Sequence, residues 1–312
     1  MNLTDPIFAD ADKAREHLEA TRWPHGPICP HCGVVDQATA ISGEGKKARV
    51  GAYQCNACRK QFSVTVGTVF EDSKVPLNKW LLASYLMASS KKGISAHQLH
   101  RTLGVTYKTA WFMCHRLREA MVSPDTTKFG GNGGVVEVDE TFIGKNPDVK
   151  PTKLASTSMN KVLTLVDRST GRARSMVVTD FKLTTIEPIL FANVRHDTRL
   201  MTDEAKHYIR PGRSFMDHQS VNHSKDEYVR RQDHSITTNT VEGFFGIFKR
   251  GMTGVYQHCG SQHLQRYLVE FDFRYTNRIA NSVDDTMRSD ELLRGIGGKR
   301  LTYRRTGESA HA

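Results

Sequence analysis

Three acidic residues in the second half of the chain have the types and surroundings for metal-dependent phosphoryl transfer. Asp139 ends an apolar, β-branched run, Val-Val-Glu-Val-Asp, over 135–139, and Asp203 ends a second one, Thr-Arg-Leu-Met-Thr-Asp, over 198–203. Glu242 lies in Asn-Thr-Val-Glu-Gly-Phe-Phe-Gly-Ile-Phe-Lys, 239–249, whose pattern predicts a helix. Hard divalent cations take oxygen ligands. Two of them a few ångströms apart can activate an attacking oxygen and stabilise a leaving one. Lys249 follows Glu242 by two helical turns and shares its face, where an ammonium could hold a phosphate. Taken singly, each acid has a plainer reading, since strands often end in Asp for its turn preference. The set is what points to chemistry.

A second cluster precedes it. Cys29-Pro-His-Cys32 and Cys55-Asn-Ala-Cys58 are two CxxC pairs with 22 residues between them. Four thiolates so spaced suit a tetrahedral zinc. A hairpin over 41–54 would absorb the intervening length, with Gly33 turning the chain after the first pair and Tyr53 and Phe62 covering the metal. Disulfides and a redox CxxC are the other readings of four cysteines. A reducing compartment argues against the first, and the doubled ribbon pattern against the second. His31 reads as a neighbour of the metal, and Cys114 and Cys259 as packing residues.

Between the two clusters, residues 93–118 read as two helices joined at Gly104. Ser95 and Thr106 are the expected caps, and Leu99, Leu103, Ala110, Trp111 and Leu117 the packed face. The second helix would present Tyr107, Lys108 and Thr109 near its N-terminus, where a recognition helix meets base edges. His115, Arg116 and Arg118 would touch phosphates. An ordinary helical hairpin is the plainer alternative.

These sites need a frame. Residues 8–22 and 76–91 have helical patterns, the first stopping before Pro24 and the second starting at Pro76. The turn-rich stretch 123–134 reads as a linker. Beyond it, strands are expected at 135–139, 161–168, 173–179 and 198–203, a helix at 184–194, and further helices around Glu242 and over 263–278. That order suits a mixed sheet with helices. The polar stretch 144–159 reads as a loop over substrate, and 222–236 as a mobile connection.

The 312 residues carry 44 Lys and Arg against 33 Asp and Glu, a net charge of +11. Such an excess suits a polyanionic partner, nucleic acid foremost. No apolar run approaches the roughly 18 residues of a membrane span, and the N-terminus lacks the marks of a signal peptide. A cytoplasmic protein with reduced cysteines is expected, associated with the nucleoid in action.

Together these residues resemble a DDE-class bacterial insertion-sequence transposase of the subgroup with an N-terminal zinc ribbon, related to the eukaryotic Merlin elements. The resemblance rests on the two CxxC pairs, Val138-Asp-Glu-Thr141, Thr202-Asp-Glu204, Asn239-Thr-Val-Glu-Gly-Phe-Phe245 with Lys249-Arg250, and the run from Leu264 through Asn277. It implies a multi-domain α+β and α/β chain: an N-terminal helix and zinc ribbon (1–66), a helix-turn-helix module (67–123), a linker (124–134), a ribonuclease-H-like catalytic domain (135–304) and a disordered tail (305–312). It implies structural Zn²⁺ on Cys29, Cys32, Cys55 and Cys58, and two catalytic Mg²⁺ or Mn²⁺ on Asp139, Asp203 and a third ligand. That ligand is Glu242, 39 residues after Asp203, or Asn239, which replaces the Glu in part of the family. Glu242 is preferred because a carboxylate binds magnesium more strongly than an amide. The implied partner is double-stranded DNA, both element ends and target, with a homodimer or higher assembly at synapsis and no membrane. The implied reaction is DNA strand cleavage and transfer. A non-catalytic DNA-binding regulator derived from a transposase is the alternative, and a nuclease or junction resolvase on the same fold a further one.

Overall fold

The computed structural model describes residues 2–41, 50–150 and 155–302. Part of the expected 41–54 hairpin and the tail 305–312 lie outside them. The described chain forms two compact units, one of residues up to Val122 together with Asp285 onward, the other of Ser123–Asp284; Lys91–Gly93 belong to the second.

In the first unit, α1 (Ala11–Arg22) starts at Asp10, whose carboxylate accepts the N–H groups of Asp12 and Lys13, satisfying donors the first helical turn leaves open. A three-stranded antiparallel sheet follows, β1 (Ala38–Ala40), β2 (Ala52–Cys55) and β3 (Gln61–Ser63). Trp23 stands edge-on to Tyr53 and Phe62, which stack on one another, and the three rings bind α1 to this sheet. Next come α2 (Leu77–Ser89), α3 (Ala96–Leu103) and α4 (Tyr107–Ala120). Ser95 caps α3 and Thr106 caps α4, as their positions predict. Gly104 ends α3 in the left-handed conformation, at φ 61°, which glycine adopts without steric cost.

The second unit is built on a five-stranded mixed sheet. Its strands are β4 (Val135–Lys145), β5 (Met159–Asp167), β6 (Ala173–Val178), β7 (Arg199–Thr202) and β8 (Asp217–Ser220), in the order β6-β5-β4-β7-β8. The first three pair antiparallel, and β7 and β8 join parallel. Helices α5 (Leu183–Asn193) and α6 (Lys206–Gly212) lie against one face, where Val136, Val138, Leu163 and Leu165 meet Ile186, Leu190 and Tyr208. Against the other, α7 (Asn239–Gly251) and α8 (Leu264–Thr276) bring Val241, Phe244, Phe248, Leu268 and Phe271 onto Val162 and Val166. Finally α9 (Asp285–Arg294) packs on α2 within the first unit.

Three sequence expectations are corrected. Asp139 does not end its strand: β4 runs six residues further, because Thr141-Phe-Ile143 continues the strand pattern and pairs with β5. Strand β8 was not expected, since Asp-His-Gln-Ser is wholly polar. The segment 222–236 is tied down rather than loose: Arg230 donates to Gln219 and Ser220, and Arg168 to the carbonyls of Ser235 and Thr237.

Candidate functional sites

The four cysteines converge. Their sulfurs all lie within 4.8 Å of one another, with Cys29 to Cys58 at 3.7 Å and Cys32 to Cys55 at 3.6 Å. A tetrahedron with Zn–S bonds of about 2.3 Å has sulfurs about 3.8 Å apart, so the thiols fit that ion. Each CxxC closes the same turn: Gly33 N–H donates to Cys29 O and Arg59 N–H to Cys55 O, with φ of 76° and 63°. The N–H of Cys58 points at the Cys55 sulfur, favouring its thiolate and lowering its pKa to about 7. His31 turns away toward the carbonyl of Gln61.

The acids are placed by strand register. Parallel pairing sets Val135 opposite Arg199, Val136 opposite Leu200 and Glu137 opposite Met201. Continued by two residues, that offset brings Asp139 level with Asp203, at the point where β7 ends and β4 goes on. Alternation puts Asp139 on the same face as Glu137, the face covered by α7, which carries Asn239, Glu242 and Lys249. Burial pushes the Asp139 carboxyl up to about 8; the neighbouring charge of Glu140 adds to this, and those of Asp203 and Glu242 add less. Asp203 is raised by burial as well. Carboxylates that disfavour one another as anions are what a divalent cation relieves, and the donors are all oxygen. The set does not close on one point: among the described residues, the four thiols are the cluster of three or more such groups whose ligand atoms come within 4.8 Å of each other.

Several residues around the acids carry no catalytic role in the sequence expectations. Glu242 accepts the Thr238 hydroxyl at 2.8 Å and lies 3.3 Å from His223. His223 is held in turn by Glu204, which accepts the N–H groups of His223 and Ser224 and the Ser224 hydroxyl. Glu140 takes a hydrogen bond from the buried Tyr208 hydroxyl and lies 3.3 Å from His207. Glu137, fully buried, accepts from Arg168 and from the N–H of Val241 at the start of α7. An acid inside Val135-Val-Glu-Val138 was the available sign that a charge had been built into a core strand. Asn239 and Lys249 are exposed at opposite ends of α7.

At α4, Tyr107 and Lys108 are exposed and Thr109 half-buried, and Tyr107 stacks on His97 at 4.2 Å. Arg116, Arg118 and His115 do not face outward. They are 8%, 2% and 1% exposed, and the Arg116 guanidinium donates to the carbonyls of Val69, Glu71 and Leu301. The expectation that these three touch phosphates is therefore corrected: they lie on the inner side of α4, where Arg116 ties that helix to the segments at Val69–Glu71 and Leu301.

Residues 132–276 match the family model described as ISXO2-like transposase domain, and residues 9–61 the one described as transposase zinc-ribbon domain. The chain carries the zinc ribbon and the ISXO2-like domain of a DDE transposase. DNA binding follows from that kinship. A Halobacterium salinarum protein described as an uncharacterized protein in transposable element ISH50 is 26% identical to the transposase over 284 residues, 86% of this chain and 91% of that protein. Among solved structures, a chain of a simian T-cell lymphotropic virus intasome in complex with PP2A regulatory subunit B56 gamma is 13% identical. It covers 56% of the transposase and 63% of its own length at a TM-score of 0.28, too low to bear on fold. Among the described residues no helix of the transposase is long and apolar enough to cross a membrane.

Proposed function

We propose that the transposase binds the terminal inverted repeats of its element and catalyses DNA strand cleavage and strand transfer at Asp139, Asp203 and Glu242. The observation that carries this reading is the strand register that sets Asp139 level with Asp203 beneath the helix bearing Glu242. The sheet order, three antiparallel strands followed by two parallel ones, supports a ribonuclease-H-like catalytic domain. Asp139, Asp203 and Glu242 would hold two Mg²⁺ or Mn²⁺. When bound, the ions supply activation of the attacking oxygen and stabilisation of the leaving one.

The protein's own contribution is position and charge. Asn239 lies one turn before Glu242 on the same helix and would orient a water or serve as ligand in its place. Lys249, two turns on, would hold a DNA phosphate. The zinc ribbon and the α3–α4 pair, read as a helix-turn-helix, would grip the element ends, with Tyr107, Lys108 and Thr109 toward the DNA. Synapsis of two ends calls for a homodimer or higher assembly.

The deciding experiment is strand transfer by the purified chain on labelled element-end DNA with a plasmid target and Mg²⁺, beside Asp203→Ala, Glu242→Ala and Asn239→Ala. Joining by wild type and none by the Asp203 and Glu242 variants is the expected result. Loss in the Asn239 variant but not the Glu242 variant would reassign the third ligand. End binding without cutting by wild type would make the chain a non-catalytic regulator and overturn the reading.

A further inference from the structure

The helix carrying Glu242 is fastened by two side chains that belong to the sheet. Thr238, at the N-cap position of α7, gives the helix no side-chain hydrogen bond there, because its hydroxyl goes to Glu242. The capping role passes to Glu137 on β4, whose carboxylate accepts the N–H of Val241 at 2.8 Å. A negative charge is favoured at a helix N-terminus. Glu137 has no exposure to solvent, and a buried carboxylate is tolerated when it is paired and hydrogen-bonded. Its pair is Arg168, the residue immediately after β5, which donates to it through Nε. The other arms of that guanidinium donate to Ser235 O at 2.6 Å and Thr237 O at 2.7 Å. Every hydrogen-bonding arm of the planar fork is thus engaged, fixing orientation as well as distance. Asp139 lies two residues beyond Glu137 on the same strand face, and Glu242 one residue beyond Val241. One clamp therefore sets the sheet acid and the helix acid relative to each other.

We propose that Glu137 and Arg168 are positioning residues for strand cleavage, holding Glu242 in register with Asp139 and Asp203. This rests on the cleavage reading above. Misplacement by about 1 Å at such a site costs on the order of a hundredfold in rate.

The test compares wild type with Arg168→Ala, Arg168→Lys and Glu137→Gln in the full-length chain. It uses Mg²⁺ titrations of element-end nicking, end-DNA affinity, and hydrogen exchange of backbone amides. Arg168→Ala should raise the Mg²⁺ concentration for half-maximal nicking by about tenfold or more. End-DNA affinity should stay within about twofold, and exchange should quicken at 237–242 while α8 stays protected. Arg168→Lys, with its charge but not its fork, should recover only part of the loss. Glu137→Gln keeps an acceptor for Val241 and should fold if the alanine variant does not, still showing the raised Mg²⁺ requirement. Unchanged Mg²⁺ dependence and unchanged exchange at 237–242 in the folded variants would overturn the clamp. If wild type never nicks, the cleavage reading fails, and exchange alone then decides whether the clamp fixes α7; unaltered protection there would overturn it too.

Discussion

Asp272, inside α8, accepts both the backbone N–H of Ser175 at 2.8 Å and its hydroxyl at 2.7 Å, so a helix closes the outer edge of the second unit's sheet. Gln265 accepts the Val177 N–H and donates to the Ser175 carbonyl, and Thr276 accepts the Ala173 N–H. Alternate residues of β6 present the backbone groups that an edge strand leaves free, and α8 takes them up. Unpaired edges invite pairing with other chains. Asp272→Ala should therefore lower stability and increase aggregation, measured by urea unfolding and light scattering.

The same carboxyl predicts a pH dependence. Burial pushes Asp272 up to about 7 against an ordinary value of 3.8, although Ser175 and the nearby Arg174 pull it down. The folded state then keeps a proton that the unfolded chain has released, so stability falls as pH rises from about 4 to 7. Asp272→Asn should flatten that slope, read as the urea midpoint at pH 5 against pH 7.5.

Arg116 and Lys108 should separate cleanly. Arg116→Ala strands three carbonyls and should cost about 2–4 kcal/mol of stability, with little direct effect on the salt dependence of DNA binding. Lys108→Ala should leave the melting temperature within a degree or two. It should weaken DNA binding across sequences and reduce the slope of log affinity against log salt by about 1. Fluorescence anisotropy at several salt concentrations, beside thermal melts, distinguishes the two.

Zinc should be needed for the ribbon to fold. Its packing is little more than the rings of Trp23, Tyr53 and Phe62, too small a core to stand without a metal. Cys55→Ser should drop metal content from one zinc per chain and shift tryptophan emission to the red, since Trp23 is buried. Specific end-DNA binding should be lost with it.

Glu204 anchors the turn that brings His223 to Glu242. The Ser224 hydroxyl leads the interactions that hold its carboxyl down to about 2, from an ordinary 4.5. Its stabilising contribution is present above that ordinary value and is lost as pH falls from about 4.5 toward 2. Glu204→Gln should quicken amide exchange at 222–225 at neutral pH and leave that at β5 unchanged.

Local features could be read from the sequence and long-range ones could not. The thiol cluster follows from two tight turns whose spacing is written in adjacent residues, and the caps Ser95 and Thr106 follow from single side chains. The three acids stood out by type and setting. What sets Asp139 level with Asp203, the parallel offset between β4 and β7, depends on a pairing 64 residues apart and leaves no local mark. Arg116 and Arg118 were misjudged because charge was taken to mean exposure, whereas carbonyls from distant segments satisfy the Arg116 guanidinium inside the first unit. Strand β8 escaped notice because it is held by backbone hydrogen bonds rather than by apolar alternation. Nothing around 285–294 signals that α9 returns to α2.

The Glu137–Arg168 clamp also bears on how such a chain can vary. Because α7 is moored to β4 and β5, the length of the segment joining Asp203 to Glu242 does not set where Glu242 ends up. That segment turns at an exposed tip, Arg231–His234, between the bridged residues Val229 and Thr237. Residues inserted between Arg231 and Gln232 would lengthen the tip and leave the acids where they are. The 39-residue step from Asp203 to Glu242 should then tolerate a change in length, while the pairing of Glu137 with Arg168 should not.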